Sequence, residues 1–205
     1  MNMPSRMNWF GLAGAVATLV VIAISMFVSW WQLSAGDSLI SANVSPLYTS
    51  FSVMGNSFTL PIVFAVNLSC VLLSLIGGVL MLVYSVRPTK SYAKTLLTFS
   101  FLTPLFFVVI FLVGLFALAS IVPAMFQLSF PLLGSASIQL PSSIANGVNV
   151  SVQVTASFLW PFYLAVASAV LCIGARFYHK RTLPATAPAN VAPPVAPAAP
   201  ATPTA

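Results

Sequence analysis

Four long apolar stretches, separated by a few charged residues, constrain the fold of this chain more than any other feature of its sequence. They cover residues 9–31, 60–86, 95–122 and 156–175. A bilayer core about 30 Å thick needs roughly 20 helical residues, so each stretch is long enough to cross it. None alternates like a membrane barrel strand. The sequence therefore predicts an all-α membrane protein: a four-transmembrane-helix bundle with a small extracellular β element in its loops and a disordered, Pro/Ala-rich C-terminal tail.

The composition of the chain agrees with a membrane location. Hydrophobic residues make up 60% of the 205 residues and charged residues only 4%. A soluble domain of this size would need a more polar surface. We therefore expect the lipid bilayer as the first partner and other membrane-protein subunits or a homo-oligomer as further partners. We expect no nucleic acid.

The basic residues indicate the orientation. All seven Lys and Arg residues precede the first stretch, lie between the second and third, or follow the fourth. The excess of Lys and Arg in cytoplasmic loops therefore assigns residues 1–8, 87–94 and 176–205 to the cytoplasm, and 32–59 and 123–155 to the outside. We expect a multi-pass protein of the cell membrane with both termini cytoplasmic. Six basic residues are predicted to contact lipid headgroups: Arg87, Lys90, Lys94, Arg176, Lys180 and Arg181.

The segment Ser29–Asp37, SWWQLSAGD, closes the first apolar stretch. Because indole rings prefer the headgroup layer, Trp30 and Trp31 are predicted to form the outer aromatic belt of the first span. The alternative is a secretory signal that is cleaved after Ala35. The apolar run exceeds the usual signal core of about 7–15 residues, which favours a retained span.

The second outer loop contains a strand signal at Val148–Thr155. Valines alternate there with polar residues, which predicts a half-buried strand that pairs with Ser137–Leu140 or with the first loop. Its open edge could accept a strand from a partner. The alternative is an irregular loop with chance alternation.

Two Asn-X-Ser sequons lie in the predicted outer loops, at Asn43 and Asn149. Both are candidate glycosylation sites. The alternative is an unmodified surface asparagine at each position.

The segment after Arg181 changes abruptly to Pro, Ala and Thr without any charge. Such a chain cannot build a core and favours extended polyproline conformations. We interpret it as a cytoplasmic spacer. The PxxP spacings from Pro194 to Pro203 leave open a peptide-ligand alternative, although no arginine flanks them.

Residues with catalytic chemistry are scarce. Asp37 is the only acid and His179 the only histidine, so paired carboxylates and histidine-rich metal sites are excluded. Cys70 and Cys172 fall inside predicted spans at different depths, which favours inert packing over a disulfide. We therefore expect no enzyme, no catalytic residue, no cofactor and no metal.

Small and weakly polar residues recur at helical spacing within the predicted spans. Small side chains let helix backbones approach in lipid, and an asparagine can add a hydrogen bond between helices. The predicted helix-packing residues are Gly11, Gly14, Asn67, Ser74, Gly77, Gly78, Ala165 and Ala169.

The predicted layout, with a short cytoplasmic turn RPTKSYAK between two larger outer loops, is similar to that of claudin-like and tetraspanin-like proteins. The outer loops contain no Gly-Leu-Trp, cysteine pair or Cys-Cys-Gly, so the similarity concerns topology alone. We interpret the chain as a non-enzymatic tetraspan protein, an accessory or structural subunit of a membrane complex. The alternative is a passive pore or carrier for a neutral or apolar solute.

Overall fold

The computed structural model describes residues 7–36, 40–53, 56–59, 61–88, 90–126, 131–139 and 151–182. Side chains are described for these residues except 53, 56, 58–59, 61–67, 70 and 121–126. The described residues form five helices: α1 Trp9–Ile24, α2 Pro61–Val86, α3 Ala93–Ser100, α4 Thr103–Phe126 and α5 Trp160–Thr182. The predicted Pro/Ala-rich tail lies outside the described residues.

Six strands form one antiparallel sheet in the order β4-β3-β2-β1-β6-β5. Both predicted outer loops contribute to it, because β6 from the second loop pairs directly with β1 from the first. The strands are β1 Trp31–Ala35, β2 Ile40–Val44, β3 Thr49–Val53, β4 Asn56–Thr59, β5 Gly134–Gln139 and β6 Ser151–Phe158.

The prediction of an all-α, four-transmembrane-helix bundle is wrong. The six-stranded sheet is a full layer of the fold rather than a small loop element. Within the described residues, two helical segments are long and apolar enough to cross a membrane, Ala93–Ser120 and Trp160–Thr182. Helix α1 has 16 residues, which correspond to about 24 Å and fall short of a bilayer core of about 30 Å. The length and composition of the two longer segments are consistent with membrane association.

The sequence analysis did not predict this sheet, although buried and exposed residues alternate along the first loop. Trp31, Leu33 and Ala35 in β1 are buried, whereas Gln32 is exposed and Ser34 is partly exposed. Strand β2 continues the same period of two, and Phe51 of β3 packs against the same core. Because all of these strands share one inward apolar face, they pair into a single sheet.

The strand predicted at Val148–Thr155 coincides with β6 over residues 151–155, while residues 148–150 lie outside the described part of the chain. Val152 and Val154 are buried and Ser151, Gln153 and Thr155 are exposed. Strand β6 pairs with both β5 and β1 and is therefore an inner strand of the sheet. Among the described strands, the edge that we expected here is formed instead by β5.

Proline and asparagine fix several helix boundaries. Asn8 caps α1, with its Oδ1 accepting a hydrogen bond from the Gly11 N–H at 3.1 Å. Helix α3 ends at Ser100, four residues before Pro104, whose ring would clash with the Ser100 carbonyl in a continuous helix. The predicted third span, 95–122, is therefore divided into α3 and α4.

The helices pack beneath the inner face of the sheet. Helix α1 contacts α2 and α5, and α4 contacts the same two helices. One hydrophobic cluster joins the inner face of the sheet to Val21, Phe107, Phe111 and Ala165 on α1, α4 and α5. A second cluster lies farther from the sheet and contains Met81, Tyr84 and Leu97. The core is therefore continuous from the sheet into the helical layer.

Trp30 lies at the junction of the two layers. Its side chain is 0% exposed, and its ring centroid lies 4.9 Å from that of Phe111 and 5.2 Å from that of Phe107. The indole Nε1–H donates to Ser25 Oγ at 2.8 Å. Its main chain completes the junction, since the N–H donates to the Val44 carbonyl and the carbonyl accepts from the Leu159 N–H.

The prediction of an outer aromatic belt at Trp30 and Trp31 is also wrong. Trp31 begins β1 and is 4% exposed, with its Nε1–H donating to the Leu132 carbonyl at 2.8 Å. Both indoles are buried because α1 ends at Ile24, seven residues before the predicted end of the first span. The chain has already turned into the sheet where the belt was expected.

We expect Trp30→Ala to lower the free energy of unfolding by about 3–5 kcal/mol, because it removes the largest side chain between the layers. The matched control is Trp160→Ala, since Trp160 is 56% exposed and should change stability by less than about 0.5 kcal/mol. Denaturant unfolding of each variant in mild detergent, followed by tryptophan fluorescence, measures both values. Equal losses for the two variants would show that Trp30 does not hold the layers together.

Candidate interaction surfaces

The outer face of the sheet carries rows of short, uncharged polar side chains. The strand register brings six hydroxyl-bearing residues into one line across all six strands. Neighbouring members are separated by the interstrand spacing of about 4.8 Å. We call this line the central hydroxyl row: Ser57, Ser52, Ser41, Ser34, Thr155 and Ser135.

A parallel row contains Ser50, Asn43, Gln32 and Ser157, one from each of four successive strands. No charged residue occurs in any of the six described strands. Solvent-facing sheets ordinarily carry Lys and Glu, particularly near their edges. This face therefore offers hydrogen bonds without any ionic attraction or repulsion.

The hydroxyl groups also contact one another. Ser34 Oγ and Thr155 Oγ1 lie 2.9 Å apart across the β1–β6 pair, and Thr155 Oγ1 donates to the Ser34 carbonyl at 3.4 Å. Cross-strand hydrogen bonds of this kind restrict side-chain rotation. The centre of the face is thereby ordered before any partner binds.

Strands β4 and β5 are the two ends of the sheet order. In β5, Ser135, Ser137 and Gln139 are exposed, and the strand contains no Lys or Pro that would discourage pairing. An edge strand of this type can accept an additional strand. The β5 edge and the hydroxyl rows together make up the candidate outer contact surface.

The opposite end of the helical layer is strongly basic. Arg87, Lys90, Lys94, Lys180 and Arg181 are exposed there, and Arg176 is partly buried. Arg176 Cζ lies 5.6 Å from the centroid of the Phe101 ring, and Arg181 Cζ lies 5.9 Å from that of Tyr178. Cation–π contacts of this kind hold guanidinium groups in place.

A buried hydrogen-bond network lies at the same basic end. Asn8 Nδ2 donates to the Tyr84 hydroxyl at 2.8 Å and to the Ala175 carbonyl at 3.0 Å. The Tyr84 hydroxyl lies 2.8 Å from His179 Nδ1. These bonds join the start of α1 to the last turns of α2 and α5.

The predicted helix-packing residues lie mainly between helices of the same chain. A Cβ added at Gly14 would meet Cys172 Sγ at 2.7 Å, and one added at Gly77 would meet the Thr103 side chain at 2.6 Å. Gly11 faces Ser85 and Ala175, and Gly78 faces Leu19 and Thr18. Ser74, Ala165 and Ala169 are buried, while the side chain of Asn67 lies outside the described residues.

The two sequons differ in what the structure describes. Asn43 is partly exposed on the outer face of β2. Its sequon partner Ser45 is fully buried and donates to the Ser25 carbonyl at 2.6 Å. Asn149 lies outside the described residues. Only Asn43 can therefore be assigned to a surface.

Groups with reactive chemistry are dispersed. Cys172 is buried with a free thiol, and the side chain of Cys70 lies outside the described part. In the described residues, His, Cys, Asp and Glu nowhere gather in groups of three or more that could hold a metal ion. The two ends of the molecule carry the exposed polar and basic groups described above and are the candidate functional regions.

Comparison with known proteins adds no family assignment. No known family model matches the sequence, and no curated protein matches it significantly.

Sequence reasoning missed the hydroxyl rows and the junction role of Trp30. The signal for the rows was present, because Ser41, Asn43, Ser50 and Ser52 alternate with larger or more apolar residues. It passed unnoticed because serine and asparagine are also common in irregular loops. Only the pairing register brings these residues into lines.

We expect Gly77→Ala to destabilise the protein by about 1–3 kcal/mol, because its Cβ would lie 2.6 Å from Thr103. The matched control is Gly114→Ala, since a Cβ at Gly114 meets nothing within 4 Å. That variant should be neutral or more stable by up to about 1 kcal/mol, owing to the higher helix propensity of alanine. Thermal unfolding in detergent measures both. A tolerated Gly77→Ala would contradict close packing of α2 against α4.

Proposed function

We propose that this chain is a non-enzymatic, multi-pass membrane protein that serves as an accessory or structural subunit of a membrane complex. In this proposal the helical layer lies in the bilayer, the sheet lies outside and both termini lie in the cytoplasm. The main support for this proposal is that the outer surfaces of the helices are apolar whereas the outer surface of the sheet is polar.

Large apolar side chains cover the outer surfaces of the helices. On α4, Phe106, Val113 and Phe116 are each more than half exposed, and Leu73 on α2 and Val170 on α5 are exposed to a similar degree. A contiguous apolar surface of this kind is unfavourable in water and favourable in lipid. It supports the placement of the apolar helix surfaces in the bilayer.

Exposed aromatic residues occur at both ends of the helices. Phe27, Trp160 and Tyr163 are exposed near the sheet, and Trp9, Tyr92 and Phe177 are exposed near the basic end. Aromatic side chains concentrate at the two membrane–water interfaces. Phe27, which is 82% exposed in the turn after α1, gives the short α1 an apolar extension toward the outer headgroups.

The charge distribution supports the orientation. The basic residues at the ends of α2 and α5 and in the turn before α3 lie far from the sheet, whereas the strands carry no charge. The positive-inside preference assigns the basic end to the cytoplasm. The outer side is then the uncharged sheet.

The subunit assignment is supported by the breadth of the sheet. Six strands present a surface whose side chains are short, neutral and capable of both donating and accepting hydrogen bonds. The partner that fits is a protein whose contacting surface is also uncharged. The pore alternative has no specific support among the described residues, because Met81, Tyr84 and Leu97 fill the space between the helices.

The proposed topology predicts opposite labelling of two engineered cysteines in intact cells. Ser91→Cys, in the exposed turn before α3, should not react with an impermeant thiol reagent. Gln153→Cys, on the exposed face of β6, should react. The parent chain, whose Cys172 is buried, provides the background. The reverse pattern would invert the orientation, and equal labelling would exclude a membrane between the two positions.

The proposed subunit role predicts protein partners that depend on the outer face of the sheet. Mild-detergent purification of the parent should recover defined partners in stoichiometric amounts. Ser41→Lys places a charge in the central hydroxyl row and should lower their recovery at least about tenfold, the effect of roughly 1.4 kcal/mol. Ser91→Lys adds the same charge at the other end and should leave recovery unchanged.

Unchanged thermal unfolding of both lysine variants would exclude misfolding as the cause of lost recovery. Recovery that is insensitive to Ser41→Lys would remove the sheet face from the contact. The absence of any stoichiometric partner, together with no self-association, would contradict the subunit role itself.

A further inference from the structure

The charge distribution leaves the outer face of the sheet free of repulsion toward a second copy of this chain. Its described side chains are Ser, Thr, Asn and Gln, and all of them are exposed or partly exposed. The exposed Lys and Arg side chains of the described residues lie at the opposite end, on α2, α5 and the segment before α4. Two outer faces can therefore approach without the like-charge contacts that reject wrong partners.

The outer face is also complementary to itself in hydrogen bonding. A hydroxyl or carboxamide side chain contains both a donor and an acceptor, whereas lysine only donates and a carboxylate only accepts. Ser34 Oγ and Thr155 Oγ1 already pair in this way within one chain, 2.9 Å apart, and either oxygen can be the donor. A surface of the same composition therefore satisfies this face without any change in its chemistry.

The size and flatness of the face suit a sheet-to-sheet contact. Six strands about 4.8 Å apart, each about five residues long, cover about 500 Å² per copy, or about 1,000 Å² for two copies. Specific interfaces begin at about this size. The longest described side chain on the face is glutamine, so the side chains of two sheets can interdigitate at close range.

The direction of the strands fits two copies in one membrane. Trp31 pairs with Phe158 next to the ends of α1 and α5, whereas Ala35 pairs with Val154 at the far end of the same strands. Strands β1 and β6 therefore run away from the helices. A two-fold axis parallel to them brings two outer faces together and keeps both helical layers at the same end. The helices pack against the inner face and leave the outer face clear.

We infer that the partner bound by the outer face is a second copy of this chain, with the two faces packed across a two-fold axis parallel to the strands. The inference deepens the proposed subunit role and rests on it. Ser41 lies between Ser52 and Ser34 in the central hydroxyl row, at the middle of the six strands. Its counterparts in the two copies then lie close to the axis. Asn43 is in the neighbouring row and must be free of a glycan in the pair.

The test uses full-length chains with two different affinity tags, expressed together and purified in mild detergent. Capture through one tag and quantification of the other measures pairing, and native mass spectrometry gives the number of copies. Ser41→Lys in both chains, or Ser41→Asp in both, should lower pairing at least about tenfold, because like charges meet at the axis. A Ser41→Lys chain mixed with a Ser41→Asp chain should pair at least about tenfold better than either variant alone. A different protein cannot produce this rescue, since it requires contact between the two variants.

Matched controls separate the contact from folding and from general charge effects. Ser91→Lys and Ser91→Asp carry the same changes in the exposed turn before α3 and should leave pairing unchanged in every combination. Thermal unfolding identifies any variant that fails to fold. If Ser41→Lys does so, Gln32→Lys and Gln32→Asp provide the same test, because Gln32 is exposed in the neighbouring row.

A monomeric parent, pairing that tolerates both charges at Ser41, or no rescue in the mixed sample would overturn the second copy as the partner. A glycan on Asn43 in the paired fraction, detected by intact mass, would do the same. A different protein recovered only with an unsubstituted Ser41, together with a monomeric parent, would overturn the second copy and leave the subunit role standing. Absence of both would contradict the subunit role as well.

Discussion

The burial of Trp30 is the interaction on which both layers of the fold depend. The ring fills the space among α1, α4 and α5, and its main chain bonds to Val44 and Leu159 on either side. A buried indole N–H requires an acceptor, and Ser25 Oγ provides it. Ser25 is also the C-cap of α1, so the same contact determines where the helix ends and the sheet begins. Helix α1 is short because the residues that follow it form this junction with the sheet.

Uncharged polar groups and positively charged groups lie at opposite ends of the molecule. The sheet has hydroxyl and amide groups without charge, and the far ends of α2, α3 and α5 have cations without carboxylates. Between them the helix surfaces are apolar. The two ends therefore differ in the chemistry they present: uncharged hydrogen-bonding groups at the sheet and positive charge at the basic end.

Part of this arrangement was predictable from the sequence, and the reasons for the failures are physical. The clustering of Arg87, Lys94 and Arg176 at one end follows from their positions relative to the apolar stretches. The alternation at Val152 and Val154 predicted β6 because valine favours strands. The first loop has the same alternation with serine and alanine, which also suit turns and helices, so its strands were missed. Trp30 was misassigned because an amphipathic ring after an apolar run suits a membrane interface and a buried junction equally well.

The positions of the small residues affect where a partner can bind. Gly11, Gly14, Gly77 and Gly78 pack against other helices of the same chain, so the outward-facing helix surfaces are largely covered by bulky side chains. In lipid no hydrophobic force drives such surfaces together, and close backbone approach is the main source of affinity. In the proposed topology the sheet lies in water, where its ordered hydroxyl rows and the β5 edge would be able to form main-chain and side-chain hydrogen bonds with a partner. Under the proposed subunit role, the sheet rather than the apolar helix surfaces is therefore the part of the molecule best suited to select a partner.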